Sequence, residues 1–463
     1  MKSKKFGRRL GRRGFLKGTA ALVGGLTAGV AGPASAQESG TRLLNSSEIR
    51  PVGEVSRFEK KIVRRGSATV GLTPLQDLQG IITPSDLHFY ENHENGIIPD
   101  IDPKEHRLLI HGMVDRPVEL TMDEIKSLPS VSRICFVECG SNSNNIFDKK
   151  AKTAQDIHGK SSCSEWTGVA LSLLLKEVGV QRGAEWLIGV SADPSGHAHS
   201  FPMAKGMDDV IVAYAQNGAP IRLENGYPLR LIMPGWHARI NVKWLNRIKV
   251  VDQPYTLRQE SFSYMAHGPA GMYTYEFAGA KAFGYHHETP VKSTITFPSG
   301  GQRLSKPGMY EITGLAWSGA GAIRKVEVST DNGKTWKTAQ LQEPVISKAF
   351  TRFRLPWKWD GNEVILQSRS TDETGAVQVR PEQVGWSTHP ESPSQVSVWG
   401  ADTSETCREL LGDALCSQIP TRAGMSIIQS WKINRDGTVE NPMPLMAESH
   451  GASSSSDAGE HEH

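Results

Sequence analysis

The chain has 463 residues, of which 22% are charged and 38% hydrophobic, a globular composition too long for one ordinary domain. A formal net charge of only +3 gives no basic excess of the kind nucleic acid demands. No Cys-x-x-Cys-His occurs around the cysteines (Cys135, Cys139, Cys163, Cys407, Cys416), so no c-type haem is expected on this chain.

Residues 1–36 read as a targeting segment. Arg8, Arg9, Arg12 and Arg13 form a basic region, and Gly18 to Ala31 is weakly apolar and too short to span a bilayer. Ala34-Ser35-Ala36 fits a small-residue cleavage site. Arg12-Arg13-Gly14-Phe15-Leu16-Lys17 has the pattern of a twin-arginine export signal. A periplasmic location with no stable membrane anchor is the expectation, against a basic amphipathic anchor that stays on. An odd number of cysteines in an oxidising compartment leaves at least one thiol unpaired or bound to something.

Residues 37–80 are polar and mixed and read as an N-terminal arm. Leu108 to Val114 predicts a strand and turn, and Thr121 with Glu124 predicts a capping box that starts a short helix. Arg133 to Glu138 predicts a strand ending at Cys139, Leu171 to Val178 a helix, and Trp186 to Ser191 a strand. Leu229 to Met233 and Val242 to Val251 predict two more strands. Residues 81–275 are therefore expected to form a mixed α+β domain.

From 285 to 440 the pattern becomes all-β and immunoglobulin-like. Tyr310 to Trp317, Ile323 to Val328, Arg352 to Leu355 and Val364 to Arg369 read as strands, and Asp331-Asn332-Gly333 as a hairpin turn. Residues 380–425 are Ser-, Pro- and Thr-rich and read as an insertion, whose Cys407 and Cys416 are spaced to permit a disulfide without demanding one. Ile427 to Ile433 reads as the last strand, and 441–463 as a disordered tail.

Cys139 ends an apolar strand and opens into Gly140-Ser141-Asn142, where a thiolate can meet a soft metal. A buried free cysteine, or a disulfide to Cys135 or Cys163, remains the alternative. Phe136-Val-Glu-Cys139-Gly-Ser-Asn142 resembles the Cys-Ala-Gly-Asn segment of the sulfite oxidase family. Gly226-Tyr-Pro-Leu-Arg230 with Asn241-Val242-Lys243-Trp244 resembles its second signature, and Phe89-Tyr90-Glu91-Asn92-His93 its early pterin loop. Gly314 to Trp317 and Ser329 to Trp336 resemble its dimerisation domain.

The resemblance implies a molybdenum–molybdopterin cofactor with Cys139 as metal ligand. It implies cofactor contacts from Phe89, Tyr90, Asn92, His93, Asp193, Asn225, Arg230, Asn241, Val242 and Lys243. Taken alone, Arg230 and Lys243 also fit ordinary strand-edge charge. Four departures bear on substrate, the first being Asn225 in place of the family histidine before Gly-Tyr-Pro-Leu-Arg. Ser143 and Asn144 stand where sulfite oxidases usually carry arginines, Glu91 stands where an arginine precedes Asn-His, and the active-site tyrosine gives way to Gly196-His197-Ala198-His199. Loss of cations weakens binding of a free dianion.

The departures resemble the sulfane dehydrogenase (SoxC-type) branch. That branch implies oxidation of sulfane sulfur on a carrier protein during thiosulfate oxidation, and electron transfer to a separate c-type cytochrome subunit (SoxD type). A homodimer or heterotetramer follows by the same resemblance. His197 and His199 are then candidates for proton transfer, or two solvated histidines of a surface loop. Arg239 is a candidate for the positive charge lost elsewhere, and Trp236-His237 for channel lining or packing. The runner-up is a sulfite dehydrogenase acting on free sulfite. A binding module without turnover and a reductase remain as further readings.

Overall fold

A computed structural model describes residues 61–92, 97–255, 288–378 and 426–444, together with residue 59 and the backbone of one short hairpin. Residues 62–463 form one unit and residues 1–61 another. The expected targeting segment, His93, the 380–425 insertion with Cys407 and Cys416, and the tail beyond 444 lie outside the described residues.

The α+β part begins with a three-stranded sheet of β1 (Arg65–Gly66), β2 (Val70–Leu72) and β3 (Tyr90–Glu91). Next come β4 (Arg107–Gly112), β5 (Val118–Thr121), α1 (Met122–Ser127) and β6 (Ser130–Glu138). The Thr121 hydroxyl accepts from Glu124 N, and the Glu124 carboxylate accepts from Thr121 N at 2.8 Å, so the predicted capping box forms. Then follow α2 (Ala154–His158), β7 (Ser161–Ala170) and α3 (Leu171–Val178). In α3, Leu171, Leu174, Leu175 and Val178 recur at helical spacing on one buried face, and Gly179 ends the helix at φ 69°. The series continues through β8 (Trp186–Ser191), β9 (Ala198–Pro202), α4 (Met203–Asp208), β10 (Ile211–Gln216), β11 (Ala219–Pro220), β12 (Arg230–Ile232) and β13 (Leu245–Val251). The strand expected from Val242 starts only at Leu245, because Trp244 takes φ 50° and breaks the extended run.

Two five-stranded sheets result, β5-β4-β13-β8-β9 and β11-β10-β7-β6 with β12 on β10. Along β6, Ile134 and Phe136 pack against one apolar cluster, while Cys135, Val137 and then Cys139 pack with another. This is the period-two alternation of a strand buried on both faces. Cys163, in register with Phe136 on β7, belongs to the Phe136 face. Cys135 and Cys163 therefore sit on opposite faces of the sheet, and both thiols are free, as is that of Cys139.

After a hairpin of β14 (Tyr275–Phe277) and β15 (Ala280–Ala282), the chain enters a β-sandwich. Its strands are β16 (Lys292–Phe297), β17 (Gly308–Trp317), β18 (Ile323–Ser329), β19 (Lys337–Thr338), β20 (Gln340–Leu341), β21 (Thr351–Trp359), β22 (Val364–Asp372), β23 (Ser430–Ile433) and β24 (Val439–Glu440). They pair as β16-β17-β21-β20 and β19-β18-β22-β23-β24. Asn332 and Gly333 take φ 60° and 75°, as the sequence requires, although the strands they join are β18 and β19 across a loop longer than two residues. β23 is not the last strand: Asp436-Gly437 turns the chain back into β24, with Gly437 at φ 84°.

The two domains share their cores. Ile146, Phe147, Ala151, Ala154 and Ile157 pack with the sandwich residues Trp431, Phe353 and Leu366. Leu75 and Leu78, from the expected N-terminal arm, pack with Phe136, Trp317 and Phe350.

Candidate active site

Cys139 lies just past the end of β6, half-buried. Its backbone N donates to Lys160 O at 3.0 Å, and its carbonyl accepts from Asn142 N at 2.9 Å. The thiol donates to Glu91 Oε2 at 2.9 Å and lies 3.2 Å from Ser141 Oγ. Lys160 Nζ closes the ring, 3.1 Å from Glu91 Oε1 and 2.9 Å from Ser141 Oγ. Burial, followed by the Glu91 carboxylate, pushes the Cys139 thiol up to about 11. A thiolate here requires a cation against its sulfur, which is what a thiolate-ligated metal supplies.

A cluster of polar groups lies on the same side of the sheet. Arg230, buried at the start of β12, donates through Nη1 to Asn225 O at 2.6 Å and through Nη2 to Asn241 O at 3.1 Å. Its guanidinium stands 4.9 Å from the centre of the Trp166 ring. Lys243 Nζ donates to Asn92 Oδ1, to Glu91 O at 3.0 Å and to Glu224 O at 3.1 Å. Gly226, at φ 108°, lets the two loops close: a Cβ there would stand 3.0 Å from Lys243 Cα. Burial lowers Arg230 to about 9 and Lys243 to about 7, and among the described residues neither has an ion-pair carboxylate.

Asn225 Nδ2 donates to Phe89 O at 2.9 Å, and His88 Nδ1 donates to the same carbonyl at 2.8 Å. His88 stacks on Phe89 with ring centres 5.3 Å apart, and burial holds it at about 3, a neutral ring. Three buried polar atoms in this cluster, His88 Nε2, Asn92 Nδ2 and Asn225 Oδ1, have no hydrogen-bond partner among the described residues. Two buried cations without an ion-pair carboxylate among the described residues, beside mixed donors and acceptors, fit a group that carries a phosphate and a heterocycle.

The remaining predicted residues divide. Phe89 is buried, and Tyr90 is half-buried under the Arg64 guanidinium at 4.6 Å. Asn241 spends its side chain inside its own loop, accepting from Met233 N at 2.6 Å and donating to His237 O at 2.9 Å. Val242 points into the apolar core, so only its backbone can serve a ligand. Asp193 organises the turn to His197, accepting from Ser195 Oγ at 2.9 Å and from His197 N at 3.3 Å. His197 Nε2 lies 3.0 Å from Arg239 O, and the His197 and His199 rings meet edge-on at 4.6 Å. Arg239 Nη1 and the His237 ring are the nearest atoms to a Cβ placed on Gly140, at 3.9 and 4.0 Å. The loop 237–239 thus faces the Cys139 turn, and His197 stands behind it. Ser143 faces away, 2.9 Å from the buried His158 Nδ1.

The oxidoreductase molybdopterin binding domain matches residues 95–258, and the Mo-co oxidoreductase dimerisation domain matches 285–391. The solved sulfane dehydrogenase SoxCD from Paracoccus pantotrophus is 30% identical and superposes with a TM-score of 0.71, over 89% of this chain and 99% of that one. The chain belongs to the sulfite oxidase family of molybdopterin oxidoreductases. Mitochondrial sulfite oxidases of Drosophila melanogaster and Homo sapiens are 32% and 30% identical, over 56% and 61% of the chain. The chain spans about half the length of these curated relatives, 47% and 52%.

The family's cofactor is molybdenum–molybdopterin, and the polar cluster described above suits it. Several neighbours of Cys139 and of the cluster escaped sequence reasoning. Glu91 carried a signal, since it replaces a family arginine. Lys160 and Arg64 carried none, because only the folded chain brings Lys160 beside Glu91 and Ser141 and Arg64 beside His88 O and Glu224. No described helix is long and apolar enough to cross a membrane.

Proposed function

We propose that this sulfite oxidase family member oxidises sulfane sulfur held on a cysteine of a carrier protein and passes the electrons to a c-type cytochrome subunit. The bound molybdenum cofactor supplies two-electron oxygen-atom transfer at sulfur. Cys139 holds the metal through its sulfur. Arg230 and Lys243 hold the cofactor phosphate, and Asn92, Asn225 and His88 bind the pterin edge through their unpartnered atoms. His197 and His199 carry protons behind the Arg239 loop. Phe89, Tyr90 and the backbone at Asn241 and Val242 complete the wall, Asp193 fixes the turn that carries His197, and His93 joins the cofactor contacts by the family resemblance.

The observation that carries the substrate is Glu91. Its carboxylate stands 2.9 Å from Cys139 Sγ, where the family pattern has an arginine. A carboxylate at that point repels a free dianion but tolerates a sulfur atom presented as a thiol adduct. The likeness to SoxCD over nearly the whole of that chain supports the same reading. Periplasmic location by twin-arginine export belongs to this proposal, since a chain with a buried cofactor crosses the membrane after folding. Dimerisation through the sandwich belongs to it as well.

Arg239 favours a second reading. Its guanidinium faces the Cys139 turn and suits a small anion, as a dehydrogenase of free sulfite requires. The deciding experiment measures molybdenum content and turnover of the exported protein with each substrate and a cytochrome acceptor. About one molybdenum per chain, with turnover of carrier-bound sulfane alone, supports the proposal. Comparable turnover of free sulfite replaces it with the second reading, and a correctly matured protein without molybdenum overturns both.

A further inference from the structure

The alternation along β6 that sends Cys139 to the cofactor side sends Glu138 the other way, into the seam with the sandwich. Glu138 is fully buried, at 0% exposure. Its Oε1 lies 2.5 Å from Lys292 Nζ and accepts from Asn142 Nδ2 at 2.8 Å, and its Oε2 accepts from Trp317 Nε1 at 2.7 Å. Lys292 on β16 and Trp317 on β17 are register partners, so one rung of the sandwich presents an ammonium and an indole N–H side by side. Both are buried.

The third donor reaches the site. Asn142 N donates to Cys139 O at 2.9 Å, Cys139 N to Lys160 O at 3.0 Å, and Lys160 N to Asn142 Oδ1 at 3.1 Å. The backbone groups that set the direction of the Cys139 side chain are therefore tied through Asn142 to Glu138, and through Glu138 to the second domain. A buried ion pair gives little net stability over an apolar pair of equal volume. Its better-attested use is to select one arrangement among several, and here it selects the seating of the strand end that carries Cys139.

We propose that Glu138 is a positioning residue for the metal ligand, held by Lys292 and Trp317, so that the direction of the Cys139 sulfur is set by the contact between the two domains. The proposal rests on the reading of Cys139 as the metal ligand. A carboxylate is required because two acceptor oxygens serve three donors. Glutamine offers one oxygen and turns an NH2 toward Lys292 or Trp317, and so breaks part of the cluster.

The test uses the full chain in two forms. In the cofactor-loaded protein, Glu138→Gln and Trp317→Phe are compared with wild type by the Mo(V) electron paramagnetic resonance signal. Trp317→Phe removes the indole N–H and keeps an aromatic ring in the core, so it folds even where a change at Glu138 does not. In the metal-free protein, alkylation of Cys139 is timed against that of buried Cys135 and Cys163. The expected result is a shifted Mo(V) signal and severalfold faster alkylation of Cys139 in both variants, with folding retained by circular dichroism. A wild-type signal and a wild-type alkylation rate in the folded variants overturn the positioning role. A Cys139→Ser protein that keeps the wild-type signal overturns the ligand reading and this proposal with it, and is told apart because it leaves the sulfur out altogether.

Discussion

In the proposed site Glu91 and Arg230 are two charges to which we assign opposite tasks. Glu91 holds a negative charge beside Cys139 Sγ, balanced by Lys160 at 3.1 Å. A unit charge about 4 Å from an anion is worth about 4 kcal/mol at an effective dielectric of about 20, and partial exposure of Glu91 reduces that. Glu91→Gln is therefore expected to lower KM for free sulfite about tenfold, roughly 1.4 kcal/mol, with less effect on carrier-bound sulfane. Steady-state kinetics with both substrates checks it, and an unchanged sulfite KM removes Glu91 from the specificity argument. Arg230→Met keeps an apolar stem in a buried position and removes the cation. It is expected to fold and to emerge without molybdenum, as metal analysis beside circular dichroism would show. The sequence points to Arg230 and Lys243 because each sits in a short motif whose neighbours share its loop. The Glu91–Lys160 pair spans 69 positions and has no local signature.

At the scale of elements, caps and turns carry separable contributions. Thr121→Ala removes the hydroxyl half of the α1 capping box, leaving the backbone N–H bond to Glu124, and is expected to cost about 1 kcal/mol, lowering Tm by roughly 2 °C. The β18–β19 loop gives a pH test. Asp331 accepts from Thr335 Oγ1, from Thr335 N at 2.9 Å and from Ser329 Oγ at 2.7 Å. The Thr335 hydroxyl, then the Thr335 and Ser329 donors, hold its carboxyl down at about 2. The folded pKa lies below the unfolded one, so the contribution is present above pH of about 4 and is lost as pH falls through about 2. The Tm difference between wild type and Asp331→Asn is expected to shrink over that window, and a constant difference would remove the Asp331 bonds as its source. These elements were readable because their determinants are local: Thr121 with Glu124, and the paired positive φ of Asn332-Gly333. The early end of β13 has no such local determinant, since Trp244 at φ 50° is a bulky residue in the left-handed region, whereas the turn into β24 has one in Asp436-Gly437.

For the whole molecule, the two domains are expected to unfold together. Their cores are common, and Gly300 is wedged so tightly that a Cβ would stand 1.8 Å from Lys152 O and 2.6 Å from Trp431 Cζ3. Calorimetry is expected to show one transition for residues 62–463, and Gly300→Ala to lower it sharply. Two independent transitions would mean that the shared clusters do not couple the domains. Light scattering is expected to give twice the chain mass, through the sandwich that matches a dimerisation domain.

The sequence by itself determined the α+β and sandwich succession, the capped α1, the strand that delivers Cys139, and the cofactor class. Each depends on a repeat or a motif within a few tens of residues, which a linear reading can hold. Only the tertiary structure decided that Cys135 and Cys163 lie on opposite faces of one sheet, that Glu91 and Lys160 close around Cys139, and that Glu138 meets Lys292 from 154 positions away. Those outcomes depend on which strands pair and which faces are buried together. Such long-range contacts are fixed by packing of the whole core and leave no periodic trace along the chain.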